Sequence, residues 1–403
     1  MRVCLVSRRF YECNTHMQQF ANALASRGDI VDVIAARRRG SPAYEVCNGV
    51  NIFRIQYRDV DECGRFVYLF KILQFLIRAA MCIAARHLRS GYDLIHVQPI
   101  PDVLVFSALI PKLSGVPVIL DLRDLVPELW GSKFNVADKS VLFKLLRLAE
   151  RCSVAFANHV IVANPIWYER VVSRSAERSK CSMIWYSPDP TVFHPGSRLH
   201  SNGRFVIMYP GTLSWHQGVD ILIRAFPKIR AAIPQAEVHI YAEGTARKAL
   251  EDLTELLCLG KAIQFFDIVP TAVLVDRMAN CDVAVVPKRA SDSFGNEAAS
   301  TKISEFMAVG VPVVASRTEI ESRFFDDSEL CYFRSEDEED LVRAVVTVHS
   351  DPELTARLSA NATEKIRNGA HDLRQQYLEL VDCLVAQKRG RSHQPQVSAR
   401  TVR

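Results

Sequence analysis

The chain has 403 residues, 49% of them hydrophobic and 24% charged, which is the make-up of a globular protein with room for two domains of ordinary size. Its 50 basic and 45 acidic residues leave a formal net charge of +5, too mild to argue for nucleic acid as a partner. The 11 cysteines stand singly, with no Cys-x-x-Cys and no Cys/His group at zinc-ligand spacing, and the chain opens directly on a strand, so we expect reduced thiols in a cytoplasmic protein. No two glycines are spaced i, i+2, so the dinucleotide fingerprint of a dehydrogenase is missing.

The first half alternates strand and helix patterns, the sign of a parallel sheet with helices on both faces. Val3–Ser7 reads as a strand. A loop and a helix carrying Met17, Phe20 and Leu24 at helical spacing follow, then Gly28 and a strand at Ile30–Ala35. Phe66–Arg86 is rich in Leu, Ile and Phe but is interrupted by Lys71 and Arg78. A charge at a bilayer centre costs roughly 2.5–3.5 kcal/mol, which argues against a spanning helix. Two readings stay open: a core helix of the sheet, or one that also rests on a membrane surface with Lys71, Arg78, Arg86 and Arg89 toward anionic headgroups. Tyr92–Val97 and Val116–Leu122 are further strands. The second ends in Asp121-Leu122-Arg123-Asp124, at the kind of strand end where function gathers in doubly wound sheets. Val160–Ala163 closes this half, and the cluster Pro188, Pro190, Pro195, Gly196 marks a domain boundary.

The second half restarts the pattern. Phe205–Tyr209 is a strand, Pro210–Gly218 a loop and Val219–Ile229 a helix; Ala236–Tyr241 and Ile263–Phe266 are strands, and Asp282–Pro287 leads into Glu297–Val314. That last stretch reads as loop, helix, turn and strand. Ser300 suits the N-cap, Ile303, Phe306 and Met307 face a core, Gly310 suits a left-handed stop, and Pro312 forbids continuation. The backbone N–H groups of Ser300, Thr301 and Lys302 would open a helix N-terminus, where a phosphate binds favourably. Lys302 adds a cation. Glu305 can accept two hydrogen bonds from a vicinal diol such as a ribose, and Glu297 would lie on the other side of the phosphates. The stretch is suited to a nucleoside diphosphate carrying a further group.

Two glutamates separated by seven residues, followed by Phe-Met-Ala-x-Gly-x-Pro-Val-Val, resemble the donor signature of the family 4 glycosyltransferases, and Arg123-Asp124 followed by Pro127-Glu128 resembles a bacterial subset of that family. The resemblance covers roughly residues 1–387. It implies an α/β chain of the GT-B class: two Rossmann-like doubly wound domains facing a central cleft whose closure excludes water. The first would span 1–188 and carry the acceptor side, with a crossover helix 371–387 packed back on it. The second, 189–370, would bind the donor, and 388–403, polar and basic, would be a disordered tail. The implied activity is a retaining, metal-independent hexosyl transfer from a nucleotide sugar to a glycan or lipid-linked acceptor in polysaccharide biosynthesis. It would take place in the cytoplasm, with peripheral contact at the inner face of the membrane, and without a cofactor.

The resemblance also distributes roles. Glu305 would hold the ribose and Glu297 would sit near the donor sugar. The family's histidine-aspartate pair is replaced by Arg123 and Asp124, where a guanidinium could bind sugar hydroxyls or the leaving phosphate. Asn14 and His16 occupy acceptor-facing positions, while Tyr11 and Glu12 replace the usual loop glycines. Asp189 and Phe193 keep the linker pattern, but Tyr186-Ser187 replaces Asn-Gly. The clearest departure is in the donor loop. The family has Gly-Arg and Lys-Gly where this chain has Gly211-Thr212 and Gln217-Gly218, so both phosphate-neutralising cations are missing, and His216 or Lys302 would have to serve. Two alternatives stand beside the transferase: a nucleotide-sugar epimerase on the same fold, and a non-catalytic partner that has lost the chemistry.

Overall fold

The computed structural model describes residues 1–58, 65–99, 101–134, 140–196 and 203–388. The tail read as disordered lies outside them from residue 389 on; Lys388 ends a helix. The chain divides into two compact units. Unit 1 comprises Met1–Pro127, Ala137–Trp185 and the chain from Leu373; unit 2 comprises Glu128–Val136 and Tyr186–Asp372.

Unit 1 is built on the strands β1 (Arg2–Phe10), β2 (Ile30–Arg37), β3 (Tyr44–Cys47), β4 (Val50–Tyr57), β5 (Leu94–Gln98), β6 (Val118–Leu122), β7 (His159–Val162) and β8 (Cys181–Met183). They form one sheet in the order β3-β4-β2-β1-β5-β6-β7-β8. All pairs are parallel except β3–β4. That hairpin adds an antiparallel edge which the strand–helix alternation does not predict. Its signal is Asn48-Gly49, both at positive φ (50° and 78°), as a two-residue hairpin turn matched to strand twist requires. The central strands are buried on both faces. Val3 and Leu5 pack with Met17, Phe20 and Leu24 of the helix Thr15–Ser26 and with Tyr377 and Val381 of the last helix. The alternate residues Cys4 and Val6 are buried as well.

The helix Arg65–Ser90 contacts β1 and β4 and gives Ile72, Phe75, Ala79 and Ile83 to the core. Its Val67–Ser90 portion is, among the described residues, the one segment long and apolar enough to cross a membrane by length and composition. A helix that commits one face to the core in this way lies along the fold.

Unit 2 contains β9 (Phe205–Thr212), β10 (Ala236–Glu243), β11 (Ile263–Phe266), β12 (Val283–Val286), β13 (Val313–Ser316) and β14 (Cys331–Phe333). Their order is β11-β10-β9-β12-β13-β14, every pair parallel. Counted within the unit this is 3-2-1-4-5-6, the doubly wound arrangement, and the winding reverses between β9 and β12. A crevice opens at the carboxyl ends of the strands on either side of such a reversal. Ile207 and Tyr209 of β9 pack with Ile221, Leu222 and Phe226 of the helix Val219–Ala232. The last helix is continuous from Pro352 to Lys388, and the expected 371–387 segment is its C-terminal half. Gly369 lies within it. A mid-helix glycine costs about 1 kcal/mol relative to alanine, too little to break a helix of this length.

Candidate functional site

The crevice of unit 2 is bordered by the segment after β9 and the segment after β12, which lead to Gln217 and Glu297 respectively. A third border is the helix Thr301–Ala308, which buries Ile303, Phe306 and Met307. Gly310 stops it at φ +76°, with Gly310 N–H donating to Met307 O at 3.1 Å and Val311 N–H to Phe306 O at 3.0 Å, a paired C-cap that requires a left-handed residue. Lys302 and Glu305, three residues apart, share the remaining face.

Lys302 Nζ donates to Gln217 Oε1 at 3.0 Å and lies 5.3 Å from the centre of the Tyr209 ring. Tyr209 O–H donates to the same Gln217 oxygen at 3.2 Å and to Thr212 O at 2.9 Å. Gly211 has φ +121°, and a Cβ there would meet Lys302 Cε at 2.8 Å. Gly218 has φ +66°, and a Cβ would fall 1.9 Å from Pro287 O, which draws the loop onto the end of β12. The fold therefore brings Gly211, Thr212, Gln217, Gly218 and Lys302 together. Burial, and then repulsion from Lys288, pull the Lys302 ammonium down to about 8, so it is charged at neutral pH and able to lose its proton just above it. His216 behaves differently. Burial pushes its imidazole down to about 4, and its ring stands edge-on to Phe294 at 5.3 Å, so it is neutral at pH 7. Of the two candidates for the missing cation, only Lys302 carries charge.

Glu305 accepts a hydrogen bond from Tyr186 O–H at 3.0 Å. Burial raises its carboxyl pKa, against the opposing pull of Tyr186 and Lys302. The approach to Glu297 differs from the expected loop. Ser293–Glu297 is a helical turn capped by Asp292, whose Oδ1 accepts from Gly295 N–H at 2.6 Å, and Glu297 is half-buried at its end. Ser300 holds the N-cap position without a capping side-chain bond, and its N–H donates to Glu321 Oε1 at 3.0 Å. Glu321 is buried and paired with Lys288 at 2.9 Å. An internal carboxylate thus already takes the first of the three expected backbone donors, and Thr301 and Lys302 begin the helix beside it.

In unit 1 the reversal lies between β1 and β5. Asn14, just past β1, donates to Gln98 Oε1 at 2.6 Å and caps the helix Thr15–Ser26 through Met17 N–H at 3.3 Å. Arg123 is almost fully buried. Its Nε lies 2.7 Å from Asp121 Oδ1, its Nη1 donates to Ile184 O at 3.1 Å, and its guanidinium stacks 5.4 Å from the Phe20 ring centre. Burial alone would raise the Asp121 carboxyl, but Arg123 and His96 hold it below the ordinary range. His96 in turn bonds Tyr377 O–H at 2.9 Å. Burial and Arg123 keep His16 neutral. Asp124 pairs with Arg9 at 3.1 Å. The sequence reading singles out Arg123 but misses its anchor Asp121, and it misses Tyr186, Tyr209 and Lys288 around the donor loop. Tyr186 carried a signal, because it stands where the linker departs from its pattern. Among the described residues no group of three or more His, Cys, Asp or Glu side chains could hold a metal ion.

Two doubly wound sheet units with a site at the strand reversal define a GT-B protein, and solved structures share that fold. Sucrose-phosphate synthase from Thermosynechococcus elongatus matches 96% of this chain and 100% of its own at a TM-score of 0.77 and 19% identity. Anabaena HepE, solved in complex with UDP and glucose, matches 95% and 99% at 0.71 and 16%. Residues 193–365 match the family model described as glycosyl transferases group 1, and residues 13–186 match the glycosyl transferase 4-like domain. The chain belongs to this glycosyltransferase family. It is 24% identical over 313 residues to an uncharacterized glycosyltransferase of Methanocaldococcus jannaschii, covering 75% of each. It is also 24% identical over 329 residues to the D-inositol 3-phosphate glycosyltransferase of Acidothermus cellulolyticus, covering 75% of this chain and 70% of that one.

Proposed function

We propose that this glycosyltransferase moves a hexosyl group from a nucleoside diphosphate sugar bound on unit 2 to a glycan or lipid-linked acceptor, with retention of configuration and without a metal ion. The observation that carries the donor site is Lys302 folded into the Gly211–Gly218 loop, where it returns a positive charge to a loop that lacks the family's two cations. Glu305, on the same helix face, accepts the ribose diol. Thr301 and Lys302 N–H add the field of the helix N-terminus. These groups stabilise the leaving diphosphate in the way a divalent cation otherwise would.

In this reading the bond from the anomeric carbon to the diphosphate oxygen breaks, with its electrons leaving on the diphosphate. The acceptor oxygen bonds the same face of that carbon, and its proton passes to the departing diphosphate oxygen. Glu297 orients the sugar. Arg123, locked by Asp121, acts with Asp124 as the catalytic pair of unit 1, its guanidinium binding sugar hydroxyls or the leaving phosphate, and Asn14 and His16 make the acceptor side. Polysaccharide biosynthesis at the inner face of the membrane is the setting we infer.

The first test is thermal stabilisation by UDP, GDP and ADP with EDTA present, for wild type and Glu305→Ala. HepE was solved with UDP and with UDP-glucose, which makes UDP-glucose the first donor to try. A ligand at about 100 times its dissociation constant adds about 2.7 kcal/mol of stability. Stabilisation by one nucleotide, lost in the variant, supports the donor site. No shift with any of them favours the non-catalytic reading, and sugar conversion without an acceptor favours the epimerase. The anomeric configuration of the product, read by NMR, tests retention.

A further inference from the structure

Among its described residues, unit 1 carries a continuous apolar surface that is exposed. On the helix Arg65–Ser90, the side opposite the buried Phe75 and Ala79 presents Leu69, Phe70, Leu73, Ile77 and Met81, each about half exposed or more. At 100° per residue these five fall within about a third of a turn of one another. The helix contains no Asp or Glu, and Lys71, Arg78 and Arg89 border the apolar side along one edge.

The same design recurs on a neighbouring element. The helix Val141–Phe156 buries Phe143, Glu150 and Val154 and turns Val141, Leu145 and Leu148 outward, with Lys144, Arg147 and Arg151 exposed along one flank. Its one acidic residue, Glu150, is buried against Arg174. Both helices pack on the segment Asp102–Ala108, so they are neighbours on one side of the sheet. Between them the short helix Leu109–Leu113 exposes Leu109, Ile110 and Leu113. An edge contact of Phe106 with Phe156 at 5.1 Å, and Lys112 Nζ at 5.6 Å from the Phe156 ring, join this region to the helix Val141–Phe156, while Leu109–Leu113 itself packs on the helix Arg65–Ser90.

A face of this kind exceeds the scattered exposed apolar residues of an ordinary monomer surface. We propose that the outward face of these three helices is a docking surface for an anionic lipid bilayer, with the apolar side chains reaching the acyl boundary and the basic flanks meeting the headgroups. Charge decides between a bilayer and a second copy of this chain. An isologous dimer would bring the basic flanks against one another with no outward carboxylate on these helices to pair them, whereas phosphate headgroups supply the missing sign. The purpose of the contact rests on the lipid-linked acceptor proposed above; the contact itself is carried by the surface.

The test is flotation of the full chain with vesicles of equal parts phosphatidylcholine and phosphatidylglycerol, and with vesicles of phosphatidylcholine alone. Binding to the anionic vesicles that falls with added salt is the expected result. The triple variant Lys144→Glu, Arg147→Glu, Arg151→Glu lowers partitioning by on the order of a hundredfold, and Leu73→Glu with Leu145→Glu abolishes it. All of these sites are exposed, so an unchanged melting temperature and unchanged nucleotide stabilisation show that fold and donor site are intact. Equal binding of the triple variant and wild type overturns the three-helix surface. So does the absence of flotation in a chain that nucleotides still stabilise, and that outcome leaves the transferase reading standing. Concentration-dependent self-association abolished by the Leu→Glu pair assigns the face to a second copy and also overturns the proposal.

Discussion

The Lys302 ammonium donates to Gln217 at 3.0 Å and lies along Gly211 so closely that a methyl group there would touch its stem. The Gly211–Gly218 loop contains no Lys or Arg, and a lysine 85 residues beyond Gln217 reaches into it. Replacing Lys302 by Met keeps the volume and removes the charge. A hydrogen bond to a charged group is worth about 1.5–3 kcal/mol, so nucleoside diphosphate binding should weaken by about 10- to 100-fold. Calorimetric titration measures this, and the nucleoside without phosphates should bind both proteins alike. Gly211→Ala should act in the same direction, because the new Cβ displaces Lys302 and φ +121° strains the backbone.

The same lysine sets a pH dependence. In the free protein Lys302 titrates at about 8, because burial and Lys288 disfavour its charge. A bound diphosphate favours the charged form and raises that value. Below 8 both states are protonated and affinity is flat. As pH rises through 8 the free protein loses the proton first, binding must take one up, and affinity falls by up to about tenfold per unit until the bound form also titrates. Dissociation constants measured from neutral to mildly alkaline pH check the slope. Lys302→Arg, which stays protonated throughout, should flatten it. His216 titrates near 4 and cannot mimic this profile.

Glu305 and Tyr186 separate binding from stability. Glu305→Ala should weaken a ribonucleotide by roughly tenfold, the loss of about 1.4 kcal/mol, and leave its 2′,3′-dideoxy analogue nearly unaffected. Equal losses for both ligands would remove the ribose role. Tyr186→Phe deletes the donor to Glu305 Oε1. It should cost about 0.5–1.5 kcal/mol in urea denaturation while changing nucleotide affinity only a few-fold.

Asp121 and Arg123 are a buried pair in unit 1. Asp121→Ala leaves a buried guanidinium without its carboxylate and should lower unfolding stability by about 3–5 kcal/mol. The carboxyl is held below its ordinary range. Its contribution is therefore present above that range and lost as pH falls through the depressed value. Urea midpoints of wild type and variant should converge on acidification.

Much of unit 2 was legible in the chain because the signals there are local. Apolar runs bounded by turn residues set β9 to β13, and Gly310 followed by Pro312 ends the Lys302 helix where the structure ends it. Glu305 falls on the same helix face as Lys302 from spacing alone. The hairpin at Asn48-Gly49 was equally local but sits outside the strand–helix rhythm, so the alternation passes over it.

Tertiary structure decided what depends on neighbours distant in sequence. Whether His216 or Lys302 carries charge turns on burial, and burial is a property of packing. Ser300 N–H is taken by Glu321, which comes to that helix end only because β13 delivers the following helix there. Arg123 is fixed by Asp121, two residues earlier on the same strand end, but the depth that makes the pair rigid is supplied by Phe20 and Ile184. Composition and periodicity fix which face of an element is apolar. Only the assembled fold shows which apolar faces are covered, and on the helix Arg65–Ser90 it covers one side and leaves the other bare.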